Sequence, residues 1–160
     1  MTLRSRIKRE GKDLIPPVID RISMAKRFMV SPRATAQSAR AKRIRRGTKL
    51  KFRLSEQATV SISIERQRPG RRRAGRCVKP TRRPAKKRAC ARFVNVGTLT
   101  RRMLPAGQAG LVFTGRIGRR ALPAGRYRAV LVATDPSGNR SAPRTVRFQV
   151  VRGPKRAVSG

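Results

Sequence analysis

Apolar side chains recur at every second position in two neighbouring runs of this chain. Leu50, Phe52 and Leu54 alternate with Lys49, Lys51 and Arg53. After Ser55-Glu56-Gln57, Val60, Ile62 and Ile64 alternate with Thr59, Ser61, Ser63 and Glu65. Period two belongs to a strand with one dry and one wet face. Joined by a short polar turn, the two runs predict a hairpin. A slip of one residue would put three large apolar side chains into water, so the register is firmly set.

A second stretch, Leu122 to Val150, carries the clearest turn signals. Pro123-Ala124-Gly125 can turn the chain, with Gly125 taking backbone angles that a side chain would penalise. Tyr127, Ala129, Leu131 and Ala133 then point one way, and Arg126, Arg128, Val130, Val132 and Thr134 the other. Both faces are largely apolar towards the end, which predicts a central strand. Asp135-Pro136-Ser137-Gly138-Asn139 reads as a hairpin turn in which the Asp135 carboxylate accepts backbone N–H groups. Val146, Phe148 and Val150 follow, alternating with Arg147 and Gln149.

The remaining pattern is weaker. Ile22 and Met24, then Phe28 and Val30, predict two halves of an edge strand broken around Lys26. Residues 31–47 read as a solvated loop in preference to a short helix. Residues 66–92 interrupt the pattern, and strand character resumes at Phe93. The run 103–110, MLPAGQAG, reads as a loop, after which Leu111, Phe113, Gly115 and Ile117 share a face. About seven strands without a convincing helix predict an all-β, antiparallel sandwich with a long basic hairpin excursion. The expected organisation is a disordered basic arm over 1–15, one domain over 16–152 with 66–92 as an insertion, and a disordered tail over 153–160.

Charge changes this picture most. The chain holds 43 Lys and Arg against 6 Asp and Glu, a net charge of +37 over 160 residues. Such an excess cannot be neutralised internally, and it points either to a polyanionic partner or to compositional drift on a tolerant surface. The excursion concentrates it in Arg66, Arg68, Arg71, Arg72, Arg73, Arg76, Lys79, Arg82, Arg83, Lys86, Lys87, Arg88 and Arg92. These are the candidate polyanion-binding residues, for anionic cell-wall polymer, glycan or nucleic acid attracted by charge alone. The excursion has no aromatic for bases to stack on. Phe93 is the one aromatic left to look outward; the others fall on dry faces.

Catalytic chemistry has little to stand on. Histidine is absent, and the acids Glu10, Asp13, Asp20, Glu56, Glu65 and Asp135 read as scattered. No general base, triad or phosphate loop is indicated, so neither an enzyme nor a cofactor is expected. One acid in the 135–139 turn would hold calcium poorly, and no metal site is expected. Cys77 and Cys90 sit near the two ends of the excursion. If its arms run antiparallel, the pair can face each other, and a disulfide there would contribute on the order of 3 kcal/mol in the chain-entropy model. In a reducing compartment two free thiols would stand instead. Zinc lacks ligands.

A Leu, then Pro-x-Gly-x-Tyr, a strand, a Gly-Asn turn and a last strand resembles the end of an immunoglobulin-like or fibronectin type III sandwich. Leu122, Gly125, Tyr127, Asp135, Gly138 and Asn139 carry the match. By position Tyr127 would be the corner tyrosine that bonds back to nearby backbone; the residues alone also allow a buried Tyr in another antiparallel fold. Taken with PPVIDRIS, GTLTRR and FTGRIGRRALPAGRY, residues 16–152 resemble bacterial Ig-like modules found towards the C-terminus of secreted proteins. The resemblance implies spacing, presentation or adhesion, an extracellular place and an oxidised cysteine pair. No signal peptide or membrane span is visible, so a cytoplasmic place stays open. Three readings follow: a non-catalytic structural or adhesion module, a cytoplasmic basic nucleic-acid-binding protein, and an accessory domain of a larger secreted enzyme. The oligomeric state is not legible.

Overall fold

The computed structural model describes residues 13–31, 46–82 and 88–153. The expectations for the arm before residue 13, for 32–45 and for the tail after 153 lie outside the described residues, as do Arg83, Lys86 and Lys87. Among the described residues there is no helix. The strands are β1 (Ile19–Ser23), β2 (Arg27–Met29), β3 (Thr48–Leu54), β4 (Ala58–Arg73), β5 (Arg76–Val78), β6 (Ala89–Leu104), β7 (Gly107–Phe113), β8 (Arg116–Ile117), β9 (Arg120–Ala121), β10 (Gly125–Thr134) and β11 (Arg144–Val151). They outnumber the seven predicted because short segments pair without an alternating apolar pattern to announce them. One sheet has the order β1-β3-β7. The larger has the order β2-β11-β10-β4, with β6 on the far edge of β4 and β5 against its outer end; β8 and β9 pair separately.

The dry faces are those read from the alternation. Leu50, Phe52 and Leu54 of β3, Val60, Ile62 and Ile64 of β4, and Tyr127, Ala129, Leu131 and Ala133 of β10 all lie in one core with Phe28, Phe113, Phe148 and Val150. β10 is central, between β4 and β11. Apolar burial of this kind is the main stabilising term of the fold.

Four expectations need correction. First, β3 and β4 do not form a hairpin. Ser55–Gln57 carries the chain from the three-stranded sheet into the larger one, so the two dry faces look at each other across the core. Alternation fixes which side of a strand is dry but not which sheet the strand joins. Second, the edge strand broken around Lys26 is two strands in two sheets. Met24–Lys26 crosses over without reversing the chain, so β2 meets β11 in parallel and the architecture is mixed, not purely antiparallel. The crossover is held where Ala25 N donates to Thr48 Oγ1 (2.9 Å) and Gln149 N donates to the Lys26 carbonyl (2.8 Å).

Third, 103–110 is not a loop. β6 pairs with β4 as far as Leu104 and β7 pairs with β3 from Gly107, leaving Pro105 and Ala106 to change sheets. Fourth, strand does not stop at residue 66: the basic hairpin excursion is an outward extension of β4, which runs to Arg73, and of β6, which starts at Ala89. β4 and β6 continue as one antiparallel ribbon to the pair Arg71↔Ala89. Main-chain hydrogen bonds need no apolar side chains, so wet strands on both faces escape a reading based on hydrophobic period.

Residues 122–151 follow the sequence closely. Tyr127 is buried, its Oη donates to the Pro123 carbonyl (2.6 Å), and its ring stacks on Phe148 at 5.5 Å. Leu122 is buried beside it. A Cβ at Gly125 would stand 3.2 Å from Arg66 Nε, so the glycine leaves room for that guanidinium to donate to the Ala124 carbonyl. In the β10–β11 turn Asn139 N donates to Asp135 Oδ1 (2.9 Å), and Gly138 N to the Asp135 carbonyl (3.0 Å). Gly138 has φ +88°, a backbone region that favours glycine.

Candidate polyanion interface

The ribbon of β4, β5 and β6 is built from register outward. β4 turns into β5 through Ala74-Gly75, both with positive φ (47° and 74°), the signature of a tight two-residue hairpin loop. Tyr127 faces the core and lies opposite Arg66, so Arg66, Arg68, Gly70 and Arg72 continue that face outward. Across the ladders they meet Val94, Arg92, Cys90 and Cys77. Arg68 thus stands opposite Arg92, and at the tip Arg73 stands opposite Arg76. Arg68, Arg71, Arg72, Arg73, Arg76, Lys79, Arg82 and Arg88 are exposed, while Arg66 and Arg92 are half-buried.

Cys77 and Cys90 are bonded to each other, with S–S 2.03 Å and Cα atoms 6.0 Å apart. The free-thiol and zinc alternatives therefore fall away. The bridge runs from β5 to β6 across the backbone of β4 at Gly70. A Cβ there would lie 2.5 Å from Cys77 Sγ and 3.2 Å from Cys90 Sγ. Gly70→Ala is accordingly expected to destabilise the ribbon by about 1–3 kcal/mol, the usual cost of overpacking, and to hasten thiol release at a fixed reductant concentration. Unchanged release would mean that the bridge does not lie over this residue.

The outer face of the larger sheet adds cations that the alternation along single strands does not group. Arg27, Gln149 and Arg126 form one rung across β2, β11 and β10; Arg147, Arg128, Glu65 and Asn95 form the next across β11, β10, β4 and β6. Arg128 lies 4.0 Å from the Phe93 ring centroid and pairs with Glu65, while Arg147 lies 5.7 Å from the same ring. Phe93 does look outward, but under two guanidiniums. The wet positions were legible one strand at a time; their alignment depends on a strand order that local pattern does not encode.

Apart from Glu65, which lies on β4 and pairs with Arg128, the described carboxylates lie away from the ribbon. Asp20 pairs with Arg53 (2.7 Å), whose hydrogen bond holds the Asp20 carboxyl below its ordinary value. Asp13, Glu56 and Asp135, read as scattered, bring one oxygen each within 4.8 Å of one another where the entry to β1, the β3–β4 link and the β10–β11 turn meet. Among the described residues these are the groups that could hold a cation. Asp135 also has a structural task. Burial alone would raise its pKa, but hydrogen bonds from the Asn139 side chain and from the backbone of Asn139, Ser137 and Gly138 outweigh it and hold the value lowered.

A depressed native pKa contributes stability above the unfolded value and loses it as pH falls through the folded one. Stability should therefore decline below about pH 4, and Asp135→Asn should flatten that decline in acid-dependent urea melts. A wild-type acid limb identical to that of the variant would remove Asp135 from this role.

Protein-family models, curated proteins and solved structures were all searched. None matches this chain. The site therefore stands on its own geometry: a bridged cationic ribbon continuous with a cationic sheet face, and no carboxylate between residues 66 and 92.

Proposed function

We propose that this chain is a non-catalytic, Ig-like β-sandwich module that engages anionic polymers by charge through its basic ribbon. One observation carries the reading: Arg68↔Arg92 and Arg73↔Arg76 are cross-strand pairs of like charge. Such pairs are destabilising by themselves. The two pairs lie on opposite faces of β4, so an anion along either face relieves the repulsion on that face, and each guanidinium offers it a planar fork of donors. The corner tyrosine and its bond to Pro123 support the Ig-like plan. The disulfide fits an oxidising compartment and hence a secreted or surface place. A chain without histidine supplies no imidazole for acid–base work, which favours a role in presentation or adhesion over chemistry.

The test is retention on an immobilised anionic polysaccharide during a salt gradient. Binding that weakens linearly in log affinity against log salt is the expected result. Absence of binding at low salt, or retention indifferent to salt, would overturn the reading. Sequence-discriminating binding to duplex DNA at physiological salt would replace it with a nucleic-acid-binding role.

A further inference from the structure

Two hollows flank the base of the ribbon. One, of about 700 Å³, lies along β11 beside β2 and is lined by apolar side chains and, on its polar side, by Lys26, Arg27, Arg126 and Arg147 together with Gln67 and Gln149. The other, of about 490 Å³, runs beside the disulfide and is lined in part by Arg68, Cys90 and again Gln67 and Arg126. Sharing those two residues, they lie side by side from the crossover before β2 to the ribbon. Among the described residues, no carboxylate lines either.

Resting on the proposed polymer-binding role, we propose that the larger hollow is a subsite for an acidic sugar, and that the polymer is a uronate-bearing polysaccharide. The ladder places cation, amide and cation in one rung as Arg27, Gln149 and Arg126. With strands about 4.8 Å apart, the two arginines stand about 10 Å apart on either side of the glutamine. Guanidinium forks fit carboxylates. The amides of Gln149 and Gln67 add donors and an acceptor each, and that acceptor is met by a ligand that brings hydroxyl or N–H donors beside its acidic group. Carboxylate flanked by hydroxyls is the chemistry of a uronic acid. A phosphate chain would satisfy the arginines and leave the amide oxygens without use. Single-stranded nucleic acid would want an open ring to stack on, whereas the two rings lining the hollow, Tyr127 and Phe148, are buried in the core and Phe93 nearby lies beneath Arg128 and Arg147.

The experiment uses the full chain at ~0.15 M salt, where long-range attraction is screened. Calorimetric titrations compare oligogalacturonate, its methyl ester and polyphosphate of similar length. Oligogalacturonate is expected to bind at least about tenfold tighter than either. Gln149→Ala and Gln67→Ala should each weaken it roughly tenfold, the effect of losing a useful hydrogen bond, and leave polyphosphate unchanged. Two glutamines are tested so that one misfolded variant does not end the comparison.

Polyphosphate or single-stranded DNA binding as tightly as the uronate, or glutamine variants without effect, would overturn the acidic-sugar subsite. In that event, ribbon-dependent retention of long polymers at low salt would still support the broader role. Loss of that retention as well would remove both readings.

Discussion

Replacing Arg68, Arg72, Arg88 and Arg92 together by glutamine should lower the slope of log affinity against log salt by about 3.6 on duplex DNA used as a generic polyanion, at ~0.9 for each phosphate no longer engaged. Across the range ~50 to ~200 mM salt, a protein that engages six to ten phosphates weakens by about 10³–10⁵ in affinity. The variant should therefore bind far more weakly at low salt and show a much shallower decline. A second signature separates binding from folding. The variant removes the Arg68↔Arg92 repulsion, and cross-strand charge pairs are worth roughly 0.2–1 kcal/mol. Because Arg92 Nε also donates to the Pro69 carbonyl (3.2 Å), the loss of that bond offsets the relief, and stability in urea should stay within about 1 kcal/mol of the wild type. A salt slope unchanged by the four substitutions would place binding elsewhere on the molecule.

The sequence spoke clearly wherever one side of a strand is dry. Leu50, Phe52 and Leu54, the Val60–Ile64 alternation and the Tyr127–Ala133 face are buried as their period requires. The turn at Asp135 closes through Asn139 as its residue types suggest. What stayed hidden depends on partners distant in the chain. The period of Val60–Ile64 is the same whether β3 lies beside β4 or across the core from it. The parallel pairing of β2 with β11 joins residues near opposite ends of the chain.

The ribbon was legible as a charged hairpin but not as a continuation of the sandwich strands, since both of its faces are wet and show no apolar period. For the interface, the cysteine pair and the cationic residues could be named from sequence. The rung through Arg27, Gln149 and Arg126 could not, because it needs the order of three strands. The meeting of Asp13, Glu56 and Asp135 was missed for the same reason: each lies in a different connection, and only the folded topology brings those connections to one place.

Phe28→Ala should destabilise the fold by about 3–5 kcal/mol. The side chain is fully buried although its strand is only three residues long. Its ring meets Phe113 of the opposite sheet edge-on at 5.9 Å and Phe148 of β11 stacked at 5.5 Å, and Phe148 stacks in turn on Tyr127. The aromatic cluster therefore ties both sheets to Tyr127. Truncation would remove both ring pairings and leave a void that Gly115 is too small to fill; its missing Cβ would lie 3.4 Å from Phe28 Cε2. A domain with ~5–15 kcal/mol of total stability would lose a large share of it. The measurement is urea unfolding, with the midpoint falling and the slope unchanged. Phe93→Ala is the control, since that ring lies on the outer face under arginines and opens no core void; it should cost no more than about 1–2 kcal/mol for the missing cation–π attraction. Equal losses for the two substitutions would mean that the aromatic cluster does not join the sheets, and that the core lies elsewhere.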